Sequence, residues 1–289
     1  MQLTFPVSSD TLCLWMADNS KELKYTTIRN YLHGIATTHV ELGHKSPILD
    51  SPLIWKMYKA IKRLQGSTIK QIRLPITTAI LLKIESHFNL NDETHRCIRA
   101  AIWLGTCGLL RSGEFATKGA SAATILKVQH LSFISAEGIY IRSYDITSLA
   151  AAAYMQIQLE QSKTDPFRQG VTVIVSNRNA IAAMSVYLAR RVHTQGNQPL
   201  FIEAGGKPLS VKTLVTATQV MLTAAGIPEV HKYKGHSFRK GGATSLHTAG
   251  VPDSVIRIMG RWRSFAFARY VDTPMHTIIE AGHSMTAGN

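Results

Sequence analysis

Between residues 10 and 66 the apolar positions recur at helical spacing, and no stretch alternates apolar with polar as a half-buried strand does. The pattern predicts helices over Thr11–Asn19, over Tyr25–Leu42 with Ile28, Leu32, Ile35 and Val40 on one face, and over Leu53–Leu64. That is a small all-α unit. In the next stretch, Gln65–Pro75 (QGSTIKQIRLP), the periodicity lapses, Lys70 and Arg73 appear, and a proline discourages helix before it. It reads as a basic linker. Beyond it the pattern predicts a helix over Ile76–Phe88 and one over Arg96–Leu110 that is apolar all round, as a helix central to a domain is. Three β-like segments follow at Thr124–Phe133, Tyr154–Gln161 and Gly170–Val175, the last two joined by KTDPFRQ as a hairpin loop. From Arg178 onward the pattern is again mainly helical, and the alanine-rich run Leu149–Tyr154 carries no functional signal. The expected architecture is mainly α with a small antiparallel sheet (α+β): a helical domain over 1–68, a linker over 69–75 and a larger domain over 76–289.

Charge gives that architecture a partner. Lys and Arg number 32 against 18 Asp and Glu, a net charge of +14, in a chain of 289 residues that is 45% hydrophobic. A packed basic protein calls for a polyanion, nucleic acid or an anionic membrane. No apolar run approaches the roughly 20 residues that span a bilayer, and MQLTFPVSSD lacks the basic-then-apolar layout of a signal peptide. Nucleic acid is the expected partner, and a membrane is not. Cys13, Cys97 and Cys107 form no CxxC pair, so neither a disulfide framework nor a zinc knuckle is indicated, and a reducing cytosol or nucleus fits.

Breaking a phosphodiester without a metal takes a nucleophile, positive donors for the non-bridging oxygens and an acid for the leaving 5′-oxygen. In GLLRSGEF, Arg111 and Glu114 are three apart and share a helical turn, so the carboxylate can hold the guanidinium. His236 and Arg239 repeat that spacing in GHSFRKGGATS, ahead of two glycines that permit close backbone packing. Lys163, in SKTDPFRQG, sits at a hairpin tip from which a flexible ammonium can reach a leaving oxygen. In MGRWRSFAFARYV, Gly260 is a helix stop, Trp262 follows it, and Tyr270 stands among Arg261, Arg263 and Arg269. Each piece alone has an ordinary reading: an ion pair, a solvated turn lysine, a half-buried aromatic.

The order of the pieces resembles the motif set of tyrosine recombinases: Arg with Glu at plus three, a hairpin Lys after strands, HxxR, then Gly and a Tyr ten residues on. SKTDPFRQG, HSFRKGGATS and GRWRSFAFARYV look like the eukaryotic mobile-element branch, the Crypton and DIRS type enzymes, and YTTIRNYLHGIATTHVELG is similar to a core-binding helix of the same family. The resemblance implies an N-terminal SAM-like core-binding domain followed by a catalytic domain. It implies DNA strand cleavage and rejoining through a 3′-phosphotyrosyl bond, with no metal, ATP or other cofactor. It makes Tyr270 the nucleophile, Arg111, His236 and Arg239 the phosphate clamp, Lys163 the general acid and Glu114 the orienting carboxylate, with Trp262 completing the catalytic set. Lys70, Arg73, Arg261, Arg263 and Arg269 are then DNA contacts.

This chain departs from the family in one place. Most members put His or Trp directly after the glycine, where Arg261 stands here, and either Arg261 or Trp262 is open as the phosphate contact. The implied partners are double-stranded DNA and three further copies in a synaptic tetramer. Met275, Ile278 and Ile279 in Thr273–His283 offer an apolar face either to a neighbour or to the chain's own domain. The branch implies a nucleus; a prokaryotic host would put the protein in the cytoplasm. Three other readings stand beside this one. One is a domesticated DNA-binding descendant that no longer cuts; another is a type IB topoisomerase, a family that usually presents lysine where this chain has His236. The third is a basic interaction module unrelated to DNA chemistry, which leaves the motif order unexplained.

Overall fold

The structure is a computed structural model that describes residues 5–48, 51–66, 73–119, 125–142, 145–160, 169–191 and 195–262. The chain divides into two compact units, Met1–Gln71 and Ile72–Asn289. Among the described residues no helix is long and apolar enough to cross a membrane.

The first unit packs three helices, α1 (Ser9–Asn19), α2 (Tyr25–Glu41) and α3 (Pro52–Leu64), around Leu12, Met16, Ile28, Leu32, Ile54 and Ile61. Ser8 Oγ accepts the Thr11 N–H at the start of α1, and Pro52 opens α3, where a missing N–H costs nothing. The inward face of α2 continues from Ile35 to His39, not to Val40, which is 64% exposed. Counting four from Ile35 gives a polar residue, which the apolar pattern skipped. His39 is buried because both ring nitrogens are used: Nε2 accepts the Val7 N–H at 3.0 Å, so Nδ1 carries the proton and donates to Ile35 O at 2.8 Å. Gln65, read from sequence as the first residue of a linker, closes this unit. Its Oε1 accepts the Tyr25 N–H and its Nε2 donates to Ser20 O and Leu23 O.

In the second unit α4 (Thr78–Ile84) begins where Thr77 Oγ1 accepts the Ile80 N–H, two residues later than the pattern predicts. It ends in a single 3-10 turn over Glu85–His87. The central helix α5 (Glu93–Cys107) starts at its Asp92 cap and buries Ala100 to Thr106 without a break. A four-residue helix α6 (Ser112–Phe115) follows. The sheet comprises β1 (Leu131–Ile134), β2 (Tyr140–Ile141), β3 (Tyr154–Leu159) and β4 (Val171–Val175), in order β2-β1-β3-β4, every pair antiparallel. Between β2 and β3 lies α7 (Ile146–Ala150), so part of the alanine-rich run is helical. The first strand is shorter than predicted because residues 128–130 form a 3-10 turn, in which His130 Nδ1 accepts the Lys127 N–H. The pairing of Leu159 with Val171 makes β3 and β4 the expected hairpin. The chain then runs through α8 (Arg178–Ala189), α9 (Val211–Ala224), α10 (Ser237–Thr248) and α11 (Asp253–Met259). Thus α5 is surrounded by α4, α8, α9 and α10, and its C-terminal end carries the next segment, Leu109–Arg111, to the start of α10.

Candidate active site

Two glycines decide how close that approach is. A Cβ on Gly241 would land on the Ile76 carbonyl, and one on Gly242 would land on the Thr106 carbonyl, so α10 lies backbone-to-backbone on the entry to α4 and the end of α5. Ile76 N–H donates to Ser237 O at 2.9 Å, and Thr78 N–H to Ser245 Oγ at 3.0 Å, fixing the register of that contact. Just upstream, an added Cβ on Gly235 would come within 2.6 Å of Ser112 Oγ, which places the first turn of α6 against the segment leading into His236. The RSGE and HSFR motifs, more than a hundred residues apart, therefore meet.

Arg111 is the N-cap of α6 and Glu114 its third residue. Glu114 Oε2 accepts the Arg111 N–H at 2.8 Å while Oε1 takes Arg111 Nη1 at 2.9 Å, so one carboxylate caps the helix and aims the guanidinium. Arg261 approaches the same carboxylate from the other side: Nη2 lies 2.9 Å from Glu114 Oε2 and 3.2 Å from Leu109 O. Burial pulls the Arg261 pKa below the arginine range, and the Glu114 charge opposes that shift. Arg239 is 1% exposed. Its Nη1 donates to Leu109 O at 2.7 Å, its Nη2 to Gly260 O, and its guanidinium carbon lies 4.2 Å from the centre of the Trp262 ring, a cation–π contact. Leu109 can serve both arginines because its backbone is left-handed, φ +48°, at the turn after α5.

His236, at the start of α10, is half-exposed, and its pKa lies below the ordinary value, first because its buried side loses water and then through Arg73, Lys118, Arg239 and Arg111. Four cations thus act on one histidine, and Arg111 is already paired to Glu114, which leaves the surface beside His236 net positive. Lys118 was not singled out from sequence; its side chain lies over Gly113, an added Cβ there meeting Lys118 Cε at 3.4 Å.

The structure thus brings together Arg111, Glu114, His236, Arg239, Arg261 and Trp262, with Arg73 close enough to act on His236. Arg261, expected from the sequence as a DNA contact, has a side chain that is 8% exposed and bonded to Glu114. His236 and Arg239 share a helical turn without sharing exposure, one outside and one inside. Lys163, Tyr270, Lys70, Arg263 and Arg269 lie outside the described residues, as does the 273–283 segment. Among the described residues no group of His, Cys, Asp and Glu is placed to hold a metal ion.

A mostly helical chain with a four-stranded antiparallel sheet and this motif order has the fold of the tyrosine recombinase catalytic domain. The XerH site-specific recombinase bound to palindromic difH substrate, a post-cleavage complex, superposes at a TM-score of 0.63 with 16% identity, over 96% of this chain and 72% of its own. The Tn1549 transposon integrase in complex with circular intermediate DNA superposes at 0.54 with 14% identity, over 96% and 85%. At such identities the likeness is one of fold. In sequence, residues 136–273 match the model of the Phage integrase family. No curated protein sequence matches this chain significantly.

Proposed function

We propose that this protein is a site-specific DNA recombinase that cuts and rejoins strands through a covalent 3′-phosphotyrosyl intermediate. The observation that carries the reading is the meeting of the RSGE and HSFR motifs, with Gly235 packed against Ser112 Oγ and Arg111 aimed by Glu114, in an order that resembles that of the tyrosine recombinases. Tyr270 Oη loses its proton to solvent and attacks the scissile phosphorus, the bond from phosphorus to the 5′-oxygen breaks, and Lys163 gives the leaving oxygen its proton. Lys163 recovers that proton when a 5′-hydroxyl attacks in the reverse step. The 5′-hydroxyl of another strand then attacks the phosphotyrosine and returns the tyrosine, so the bond energy is conserved and neither ATP nor metal enters. Arg111, His236 and Arg239 hold the non-bridging oxygens as charge grows on them, and Glu114 aims Arg111.

Double-stranded DNA is the substrate in this reading, gripped by both units, with Lys70, Arg73, Arg263 and Arg269 on its phosphates and four copies in the synaptic complex. The similarity to a transposon integrase and to a recombinase solved on DNA supports that partner. The GRW variant supports placement in the Crypton and DIRS branch, hence a nuclear enzyme of a mobile element. One observation favours a second reading, a descendant that binds DNA without cutting it: Arg239 is buried, and its Nη groups serve the Leu109 and Gly260 carbonyls.

A single gel separates the two. Incubating the protein with a randomised pool of nicked duplexes should yield a covalent protein–DNA adduct that survives denaturation, and Tyr270→Phe should abolish it while keeping DNA binding. DNA binding without any adduct establishes the second reading, and an adduct from Tyr270→Phe removes Tyr270 as nucleophile.

A further inference from the structure

We infer that Arg261 is a positioning residue that holds Arg111 through Glu114, and that it does not touch DNA. The starting observation is a backbone outlier. Gly260 ends α11 with φ −81°, and the left-handed residue just beyond it, where glycine is the usual choice, is Arg261 at φ +57°. The left-handed conformation crowds the Cβ of a non-glycine residue against its own backbone, so it is held there only by its surroundings. Two backbone hydrogen bonds hold the turn, Arg261 N–H to Ile258 O and Trp262 N–H to Arg257 O, both at 3.0 Å. Trp262 folds back so closely on Gly260 that no Cβ fits there, and its ring takes the face of Arg239. The left-handed turn sends Arg261 the other way, inward to Glu114.

Stability alone does not account for an arginine at this place. Its Nε and Nη1 are buried with no partner among the described residues, and a buried donor without a partner is destabilising. Backbone strain and unmet donors together offset what one buried ion pair returns, and glycine would relieve both. The gain is in geometry. Glu114 Oε2 is fixed from two directions, by the Arg111 N–H and by Arg261 Nη2, and this leaves Oε1 aimed at Arg111 Nη1. Arg111 is then held on one edge, and its partly exposed side chain faces outward. Two guanidinium groups on one carboxylate also leave a net positive charge for an anion.

The test rests on the recombinase reading for its cleavage readout but not for its binding readout. Wild type, Arg261→Gly, Arg111→Ala and the double variant are compared in single-turnover cleavage of a duplex recovered from the adduct pool, and in binding to a 30-bp duplex across salt concentrations. Arg261→Gly should fold, because glycine suits the turn, yet cleave about tenfold more slowly; Arg111→Ala should lose about a hundredfold, as when an oxyanion donor is removed. The double variant should be no slower than Arg111→Ala alone, since both act through one guanidinium. Arg261→Lys, whose ammonium can still meet Glu114, should recover part of the loss, which a purely structural role would not require.

In binding, the slope of log affinity on log salt should be the same for the double variant as for Arg111→Ala. Multiplying defects, or a double-variant slope shallower by about 0.9, would make Arg261 an independent phosphate contact and overturn the inference. If wild type binds duplex and forms no adduct, the recombinase reading fails, and the slopes alone decide the role of Arg261.

Discussion

The starts of α6 and α10 use the same three-residue spacing to opposite effect. Each puts a cationic or titratable residue at the N-cap, Arg111 or His236, and its partner at the third helical position, Glu114 or Arg239. In both, the N-cap residue faces out and the third residue faces in, with Glu114 8% and Arg239 1% exposed. What is buried differs. A buried carboxylate draws in positive charge, and Glu114 collects Arg111 and Arg261. A buried guanidinium needs oxygen acceptors, and Arg239 finds them in the Leu109 and Gly260 carbonyls. The α6 turn is therefore a device for aiming a cation, whereas the α10 turn ties the ends of α5 and α11 together and offers His236 to the surface.

The largest effect should come from separating the two turns. Gly242→Ala gains up to about 1 kcal/mol of helix propensity, but its methyl group would occupy the space of the Thr106 carbonyl and meet Leu109 Cδ2 at 2.5 Å. Overpacking against backbone that has nowhere to move costs about 3 kcal/mol, so the steric term wins. Thermal melting should show the second unit strongly destabilised. Gly34→Ala, in the middle of α2 with nothing within 4 Å, should stabilise the first unit by roughly 0.5–1 kcal/mol. Equal melting temperatures for Gly242→Ala and wild type would mean that the two turns are not packed this closely.

A smaller effect tests the outward face of the α6 turn. Lys118 is exposed beside Gly113 and acts on His236, so on DNA it should neutralise one phosphate. Lys118→Gln should leave the melting temperature unchanged and reduce the salt slope of DNA binding by about 0.9. An unchanged slope would confine the anion site to Arg111, Arg73 and the α10 turn.

Much of this was legible in the sequence. The helical unit, the hairpin and the Arg111–Glu114 pair follow from period and spacing, because a helix turn brings residues three apart together, whereas His236 and Arg239 share a turn but face opposite ways. The missed features act over long range or through backbone. The Glu114 to Arg261 bond spans 147 positions, Leu109 contributes only its carbonyl, and Gln65 ties the first unit with an amide that composition reads as linker. Val40 and His39 changed places because a histidine whose two nitrogens are both bonded behaves as a core residue, and hydropathy does not record that. Lys118 had no signal at all among 32 basic residues.

The smallest effect concerns the exposed end of the α10 turn and its response to pH. Partial burial, then Arg73, Lys118, Arg239 and Arg111, hold the folded His236 below the ordinary value of about 6.5 that it regains on unfolding. Between the two values the unfolded chain binds the extra proton, so stability is complete above about pH 6.5 and falls as pH drops from there through the folded pKa. Denaturant melts of wild type and His236→Gln from pH 8 to pH 5 should run parallel at high pH and change their separation below about pH 6.5, wild type falling more steeply because it alone loses this component. A bound phosphate should oppose that local field, because its negative charge favours the protonated imidazole and raises the His236 pKa. DNA binding should then take up a proton, so that affinity rises as pH falls below about 6.5 in wild type and stays flatter in His236→Gln. Parallel profiles in both measurements would place His236 away from the anion, and the outward residue of the α10 turn would then have no counterpart to Arg111.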